Sequence, residues 1–347
     1  MALALPILRE PAPSPAAPAL RALGLAGAEV TSPRSVRLSL TDRCDLACVY
    51  CRPHKQDGYT RDPLDLDAWV TLARGLWDAG IRRVRLTGGE PLLHPRVVEV
   101  VRALAGLGFE DLALTTNGTR LARLAEPLAA AGLHRINFSL DTLDAARFAD
   151  ITRGGRLGPV LEGLEAARRA SFRELKLNAV VVLGHNDDEL EALVRFAWDR
   201  GMTPRFLEVM AIGEGAKLQD RVVPVAEMRR RLAALLEDEP ASAERDRGPA
   251  RYVRARHDPR LRVGFISGTT DTFCKGCDRL RVASDGTLRP CLATDDGLAA
   301  AAPARAGDAS GVTAAVHEAW KHKPDGEAWK GCTESTAQHL SIRAIGG

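Results

Sequence analysis

Six of the seven cysteines in this 347-residue chain fall into two triplets. Cys44, Cys48 and Cys51 lie within eight residues, while Cys274 and Cys277 are followed, after thirteen intervening residues, by Cys291. Cys332 stands apart and reads as a structural or surface thiol. The opening MALALPILREPAPSPAAPAL has neither the basic start nor the unbroken apolar centre of a secretory signal, so the chain reads as cytoplasmic. Cytosolic thiols are kept reduced, and grouped ones point to metal or redox chemistry more than to disulfides. Three thiolates are one too few for a closed zinc site, whereas a [4Fe–4S] cluster on three cysteines leaves one iron open to a ligand. On the residues alone zinc stays open: His54 could complete the first set, and the second could be a zinc ribbon with a further ligand.

The elements that must position these thiols follow from composition and periodicity. With 45% apolar, 27% charged and 5% aromatic residues, the chain is a soluble globular one. No apolar run approaches the ~18 residues of a membrane span, and a net charge of +3 is too small to announce a nucleic-acid coat. Residues 1–33, rich in Ala and Pro, read as a mobile arm. From Ser35 to about 240, strand-like runs alternate with helix-like ones, from SVRLSL and LDAWVTLARGLWDAG to TPRFLEVM and a helix over 225–237. Leu66, Val70, Ala73 and Trp77 are expected to form the buried face of the first helix, and Leu190, Val194, Ala197 and Trp198 that of a later one. Six βα units imply a parallel sheet.

The strands decide what kind of sheet. Strands covered on both faces read almost continuously apolar, but Val36, Leu38 and Leu40 alternate with Arg37 and Ser39, Val84 and Leu86 with Arg83 and Arg85, and Leu175 and Leu177 with Lys176 and Asn178. One face is therefore polar and basic. The expected fold class is α/β, an incomplete (βα)6 TIM-like barrel whose lumen holds a charged, hydrated ligand, with a C-terminal region over 241–347 around the second cysteine triplet. There EDEPASAERDRGPARY (237–252) reads as a linker, LRVGFISG and LRVASDGTLRP as short strands, and LAAAAPARAGDASG as a loop.

The CxxxCxxC spacing, with Tyr50 between its second and third cysteines, resembles the signature of the radical S-adenosylmethionine superfamily, and Thr87-Gly-Gly-Glu-Pro91 resembles that family's GGE motif. The second triplet, Arg279-Leu-Arg281 inside it, and the terminal Gly346-Gly347 narrow the resemblance to the GTP 3′,8-cyclase family of molybdenum cofactor biosynthesis. SVRLSLTDRC, RLTGGEPLL, LTTNG, NFSLDTLD, LNAVV, RFLEVM, FCKGCDRLRVASDG and AIGG fit in order. Departures are the long arm, Ile342 in place of a usual Met, His94-Pro95 after GGEPLL, and Cys332.

The resemblance implies a cyclisation of GTP to (8S)-3′,8-cyclo-7,8-dihydroguanosine 5′-triphosphate, through loss of the ribose 3′ hydrogen to a deoxyadenosyl radical and attack of C3′ on guanine C8. It makes Cys44, Cys48 and Cys51 ligands of one [4Fe–4S] cluster and Cys274, Cys277 and Cys291 ligands of a second. Tyr50, Gly89, Ser139 and Met210 would surround S-adenosylmethionine. Arg37, Arg85, Thr115, Lys176, Arg279, Leu280 and Arg281 would hold GTP, with Arg37, Arg279 and Arg281 catalytic and the Gly346-Gly347 tail entering the site. Arg37, Arg85 and Lys176 are residues that strand parity already assigns to the basic face. Implied partners are a reductant protein such as flavodoxin or ferredoxin and a downstream cyclic pyranopterin monophosphate synthase; a homodimer is left open, and neither nucleic acid nor membrane is expected. The competing readings are another two-cluster radical enzyme and a zinc-stabilised adaptor.

Overall fold

A computed structural model describes residues 32–52, 59–60, 62–238, 248–271, 273–274, 276–294 and 297–324. The Ala/Pro-rich segment up to residue 31, His54, Cys332, Ile342, Gly346 and Gly347 lie outside the described residues.

Six parallel strands, β1 (Ser35–Ser39), β2 (Arg83–Thr87), β3 (Asp111–Thr116), β4 (Arg135–Ser139), β5 (Glu174–Val181) and β6 (Thr203–Glu208), lie side by side in sequence order. Helices α1 (Leu66–Asp78), α2 (Val97–Gly106), α3 (Leu121–Ala130), α4 (Ala145–Thr152), α5 (Leu157–Arg169) and α6 (Leu190–Trp198) make the crossovers, and α7 (Val225–Arg231) follows β6. The apolar parity of the strands, from Val36 and Leu38 to Leu177, is buried against these helices.

The sheet does not close. Later strands extend it at both edges: β8 (Arg262–Ile266) runs parallel to β6 and pairs antiparallel with β7 (Arg251–Arg254), while β9 (Arg279–Val282) lies parallel to β1 and leads to β10 (Thr287–Arg289) and β11 (Leu298–Ala299). The result is one open eleven-stranded sheet, an incomplete barrel whose second cysteine triplet is carried beside the first strand. Among the described residues no helix is long and apolar enough to cross a membrane.

Four local expectations are corrected. The inward face of α1 is Ala68, Trp69, Leu72, Ala73 and Leu76; of the four residues expected there only Ala73 is buried. The helix is rotated because it is packed from two sides, by the sheet and by the C-terminal helix. Helix α7 stops at Arg231 because Leu236 turns to bridge Ala255. The stretch taken as a linker already enters β7 at Arg251. LAAAAPARAGDASG is no loop: it holds β11, α8 (Ala301–Arg305) and the start of α9 (Ala309–Lys321), because alanine favours helix and Asp308 caps α9, accepting from Gly311 N at 2.9 Å.

Helix α9 docks on α1 at Gly75. A Cβ there would lie 2.6 Å from both Ala309 O and Val312 Cβ, and Thr313 Oγ1 donates to Gly75 O at 3.0 Å. Gly75→Ala should therefore lower stability by about 1–3 kcal/mol through overpacking, despite alanine's better helix propensity. Urea denaturation measures this; an unchanged midpoint would show that the two helices are not in close contact.

Candidate functional site

The first cysteine triplet occupies the loop after β1, and neighbouring motifs hold that loop in place. Gly89 N donates to Thr41 O at 2.6 Å and Glu90 N to Arg43 O at 2.7 Å, which sews the GGE turn to the residues just before Cys44. A Cβ on Gly88 or Gly89 would collide with the carbonyl oxygens of Thr41 and Arg43, so both glycines are required by this close approach of two backbones. Buried Glu90 accepts from Leu92 N, Thr116 Oγ1 and Asn117 N at 2.7–2.9 Å. Asn117 and Thr119 in turn donate to Asp45, inside the triplet. On the other side Ala47 N and Val49 N donate to Thr152 O and Ile151 O at the end of α4, and the buried Arg52 guanidinium reaches Cys44 O at 3.3 Å.

Tyr50 Oη donates to Asp141 at 2.6 Å, and Asp141 also accepts from Val180 N. Ser139 ends β4 as register partner of Asn178, and half-buried Met210 follows β6, packed on Gly268. These residues, with Gly89, rim the C-terminal ends of the strands, where α/β sheets place ligands.

Burial and nearby Glu90 push the Cys44 thiol up to about 12, and burial together with Asp141 holds Cys48 well above the usual thiol range. Burial also pushes Glu90 up to about 7 and Asp141 up to about 6. The three cysteines are half-buried beside acidic groups, so a cationic centre is what favours their thiolates. Among the described residues no three His, Cys, Asp or Glu are placed to hold a single metal ion. Three thiols fit a multi-iron cluster with one open iron, whereas a closed zinc site needs a fourth protein ligand, and His54 lies outside the described residues.

The basic face is a register row. Arg281 on β9 pairs with Arg37 on β1, Arg37 with Arg85 on β2, Arg85 with Ala113 on β3, and Ala113 with Arg135 on β4. Partnered residues share a face, so these guanidinium groups project from one concave surface. Towards the N-terminal strand ends, carboxylates compensate them: Arg135 pairs with Asp111 and Glu174, and Arg83 with Asp278. Further along, burial and other arginines dominate. Burial, then Arg205, pushes Arg85 down to about 9; burial, then Arg279, does the same to Arg281. Arg37 falls well below its ordinary value through burial and the charges of Arg281, Arg279, Arg85 and Arg205. Guanidinium groups keep their protons at neutral pH, so these shifts express the cost of crowding buried cations.

Lys176 and Arg205, each only 4% exposed, complete the surface. Lys176 Nζ lies 3.2 Å from Tyr252 Oη and 3.1 Å from Glu174, while Arg205 donates to Asn178 and Asn137 at 2.8 and 2.7 Å. Thr115 lies beside Asn137. Leu280 is fully buried on the opposite face of β9 from Arg279 and Arg281, so only its backbone is available to a ligand.

The second triplet flanks this face. Cys277 N closes a turn on Cys274 O, Cys291 Sγ accepts from Ala293 N, and Lys323 Nζ lies 3.4 Å from Cys277 Sγ. Burial raises the Cys277 thiol, but Arg279 and Lys323 outweigh it and leave the group below its ordinary value. The first triplet is embedded in acidic surroundings and the second in basic ones.

Sequence reasoning missed several residues. Arg205 was legible by parity, since Phe206 faces the helices. Tyr252 sits on a strand that was read as linker. Glu208 accepts from Val225 N, Ser267 Oγ, Thr269 N, Thr270 N and Thr270 Oγ1 and so ties β6 to the segment approaching Cys274, through partners distant in sequence.

Comparison with known proteins agrees with this geometry. Residues 38–197 match the family model of the radical SAM superfamily, and residues 202–329 match that of Molybdenum Cofactor Synthesis C. The chain is 46% identical over 269 residues to GTP 3′,8-cyclase 1 of Pseudomonas aeruginosa, covering 76% of this chain and 80% of that one. It is 43% identical over 298 residues to GTP 3′,8-cyclase of Paracoccus denitrificans (84% and 86%), and 40% identical over 320 residues to that of Rhodopseudomonas palustris (88% and 92%). Among solved structures, Streptococcus suis SuiB bound to S-adenosylmethionine matches with a TM-score of 0.59 at 17% identity, over 78% of this chain and 64% of that one, a likeness of fold. The two cysteine triplets, the GGE turn and the arginine row therefore sit in a chain that belongs to the GTP 3′,8-cyclase family of the radical S-adenosylmethionine superfamily.

Proposed function

We propose that the concave basic face binds GTP between the two cysteine triplets and that the chain converts it to (8S)-3′,8-cyclo-7,8-dihydroguanosine 5′-triphosphate, the first step of molybdenum cofactor biosynthesis. The observation that carries this reading is the row Arg281–Arg37–Arg85, one buried and two half-buried cations crowded on one face, which a triphosphate compensates through charge-assisted hydrogen bonds.

When bound, a [4Fe–4S] cluster with S-adenosylmethionine at Cys44, Cys48 and Cys51 supplies reductive sulfonium cleavage and hydrogen-atom abstraction, and a second cluster at Cys274, Cys277 and Cys291 offers an open iron to guanine. The rest is positioning by the chain. Arg37, Arg85, Lys176 and Arg281 hold the phosphates, Arg279 and the Leu280 backbone lie toward the base, and Thr115 toward the ribose. Tyr50, Gly89, Ser139 and Met210 hold S-adenosylmethionine at the strand ends. Fixing ribose C3′ against guanine C8 favours ring closure over quenching, because a solvent-poor site offers the carbon radical no competing partner. The C3′–C8 bond forms after hydrogen leaves C3′, and one electron and one proton complete the product. The electron comes from a reductant protein of the flavodoxin or ferredoxin type, and the product passes to a cyclic pyranopterin monophosphate synthase.

Arg37→Ala or Lys176→Ala should weaken GTP binding by about 2–5 kcal/mol, roughly 30-fold or more, with both clusters retained; titration calorimetry with wild-type affinity in both variants would refute the assignment. Tripolyphosphate alone should raise the thermal midpoint of the native protein, because a ligand bound only by the folded state stabilises it, and should raise that of the Arg37→Ala variant less. Equal shifts would place the polyanion elsewhere. Cys48→Ser should abolish S-adenosylmethionine cleavage, measured as 5′-deoxyadenosine released under dithionite; normal release would remove the first triplet from the chemistry.

A further inference from the structure

Lys323 has no part in the scheme above. It lies just beyond α9, and α9 is fixed to α1 by the close contact at Gly75. Its Nζ donates to Arg279 O at 2.6 Å, to Pro290 O at 2.8 Å and to Cys277 Sγ at 3.4 Å. An ammonium has three donors, and here each is directed at a different partner. The partners are Cys277 itself, the first residue of the strand bearing Arg279 and Arg281, and the residue immediately before Cys291.

We infer that Lys323 is a positioning residue for the C-terminal cluster, which locks two of its cysteine ligands and the Arg279–Arg281 strand into one unit and raises the cluster's reduction potential. This rests on the assignment of a second cluster to Cys274, Cys277 and Cys291. Two carbonyl acceptors fix the direction of the ammonium, so the third N–H falls on the sulfur by geometry and not by chance of a flexible side chain. A hydrogen bond from a cation to a ligating sulfur withdraws electron density and stabilises the more negative, reduced cluster, which moves the potential upwards. The carbonyl contacts tie the same charge to the backbone that aims the arginines. The electronic effect and the geometric one therefore have a single source.

The test is a redox titration of the anaerobically reconstituted full-length protein followed by electron paramagnetic resonance, with Lys323→Met and Lys323→Arg beside the native chain. About eight irons per native chain, the content of two [4Fe–4S] clusters, establishes the second cluster first; about four would remove that assignment itself. Given eight, Lys323→Met should lower the midpoint of the C-terminal cluster and leave that of the N-terminal cluster where it was, and Lys323→Arg should hold the C-terminal midpoint near the native value. An unchanged midpoint in Lys323→Met, or equal shifts in both variants, would overturn the inference, because packing without charge would then account for the contact. If Lys323→Met loses four irons, retention of eight by Lys323→Arg upholds the positioning role and loss in both variants overturns it.

Discussion

Cations crowded on one side of a sheet, three buried and two half-buried, are the constraint around which this molecule is built. Arg37, Arg85, Arg281, Lys176 and Arg205 come from five strands and share a concave face. Loss of hydration costs each of them, and among the arginines neighbouring charges add to that cost. The sheet tolerates this because its opposite face and the helices over it bury an extensive apolar core from Val36 to Val316. A closed barrel filled with branched side chains would have no room for such a face, and a sheet exposed to water would hydrate it. The open, curled sheet with later strands at both edges satisfies the two demands together.

The two ends of that face are electrostatically unlike. Around the first triplet, Glu90, Asp45 and Asp141 lie beside half-buried thiols and tie the GGE turn, the Thr116-Asn117-Gly118 turn and the cysteine loop into one network. Around the second, Arg279 and Lys323 face Cys277. This contrast accords with the proposed seating of a sulfonium cofactor beside the first triplet and of a nucleoside triphosphate along the arginine row. Glu208 connects the ends mechanically, since it holds the 267–270 segment against β6 while Gly268 packs on Met210.

Parity and spacing carried much of this in the sequence. The alternation in SVRLSL and LKLNAV placed Arg37 and Lys176 correctly because a strand's period of two is local information. The cysteine spacing and the GGE turn were legible for the same reason. Non-local pairing was not: nothing in LRVGFISG says that it joins β6, nor in RLRV that it lies beside β1. Lys323 and Glu208 are ordinary charged residues until the fold brings their acceptors and donors together from positions 17 to 62 residues away. The Ala-rich stretch after β11 was misread because Pro303 and Gly307 punctuate what are two short helices. The face of α1 was misassigned because a helix packed on two sides has no single apolar stripe.

The account stands on ribose C3′ of GTP being held on the basic face within reach of the chemistry at the first triplet. The most direct measurement is anaerobic turnover with GTP deuterated at C3′, followed by mass analysis of both 5′-deoxyadenosine and the nucleotide. Deuterium recovered in 5′-deoxyadenosine, with a nucleotide product isomeric with unlabelled GTP because it has lost the C3′ deuterium and gained one hydrogen at N7, is the predicted result. Unlabelled 5′-deoxyadenosine with unchanged GTP would contradict it.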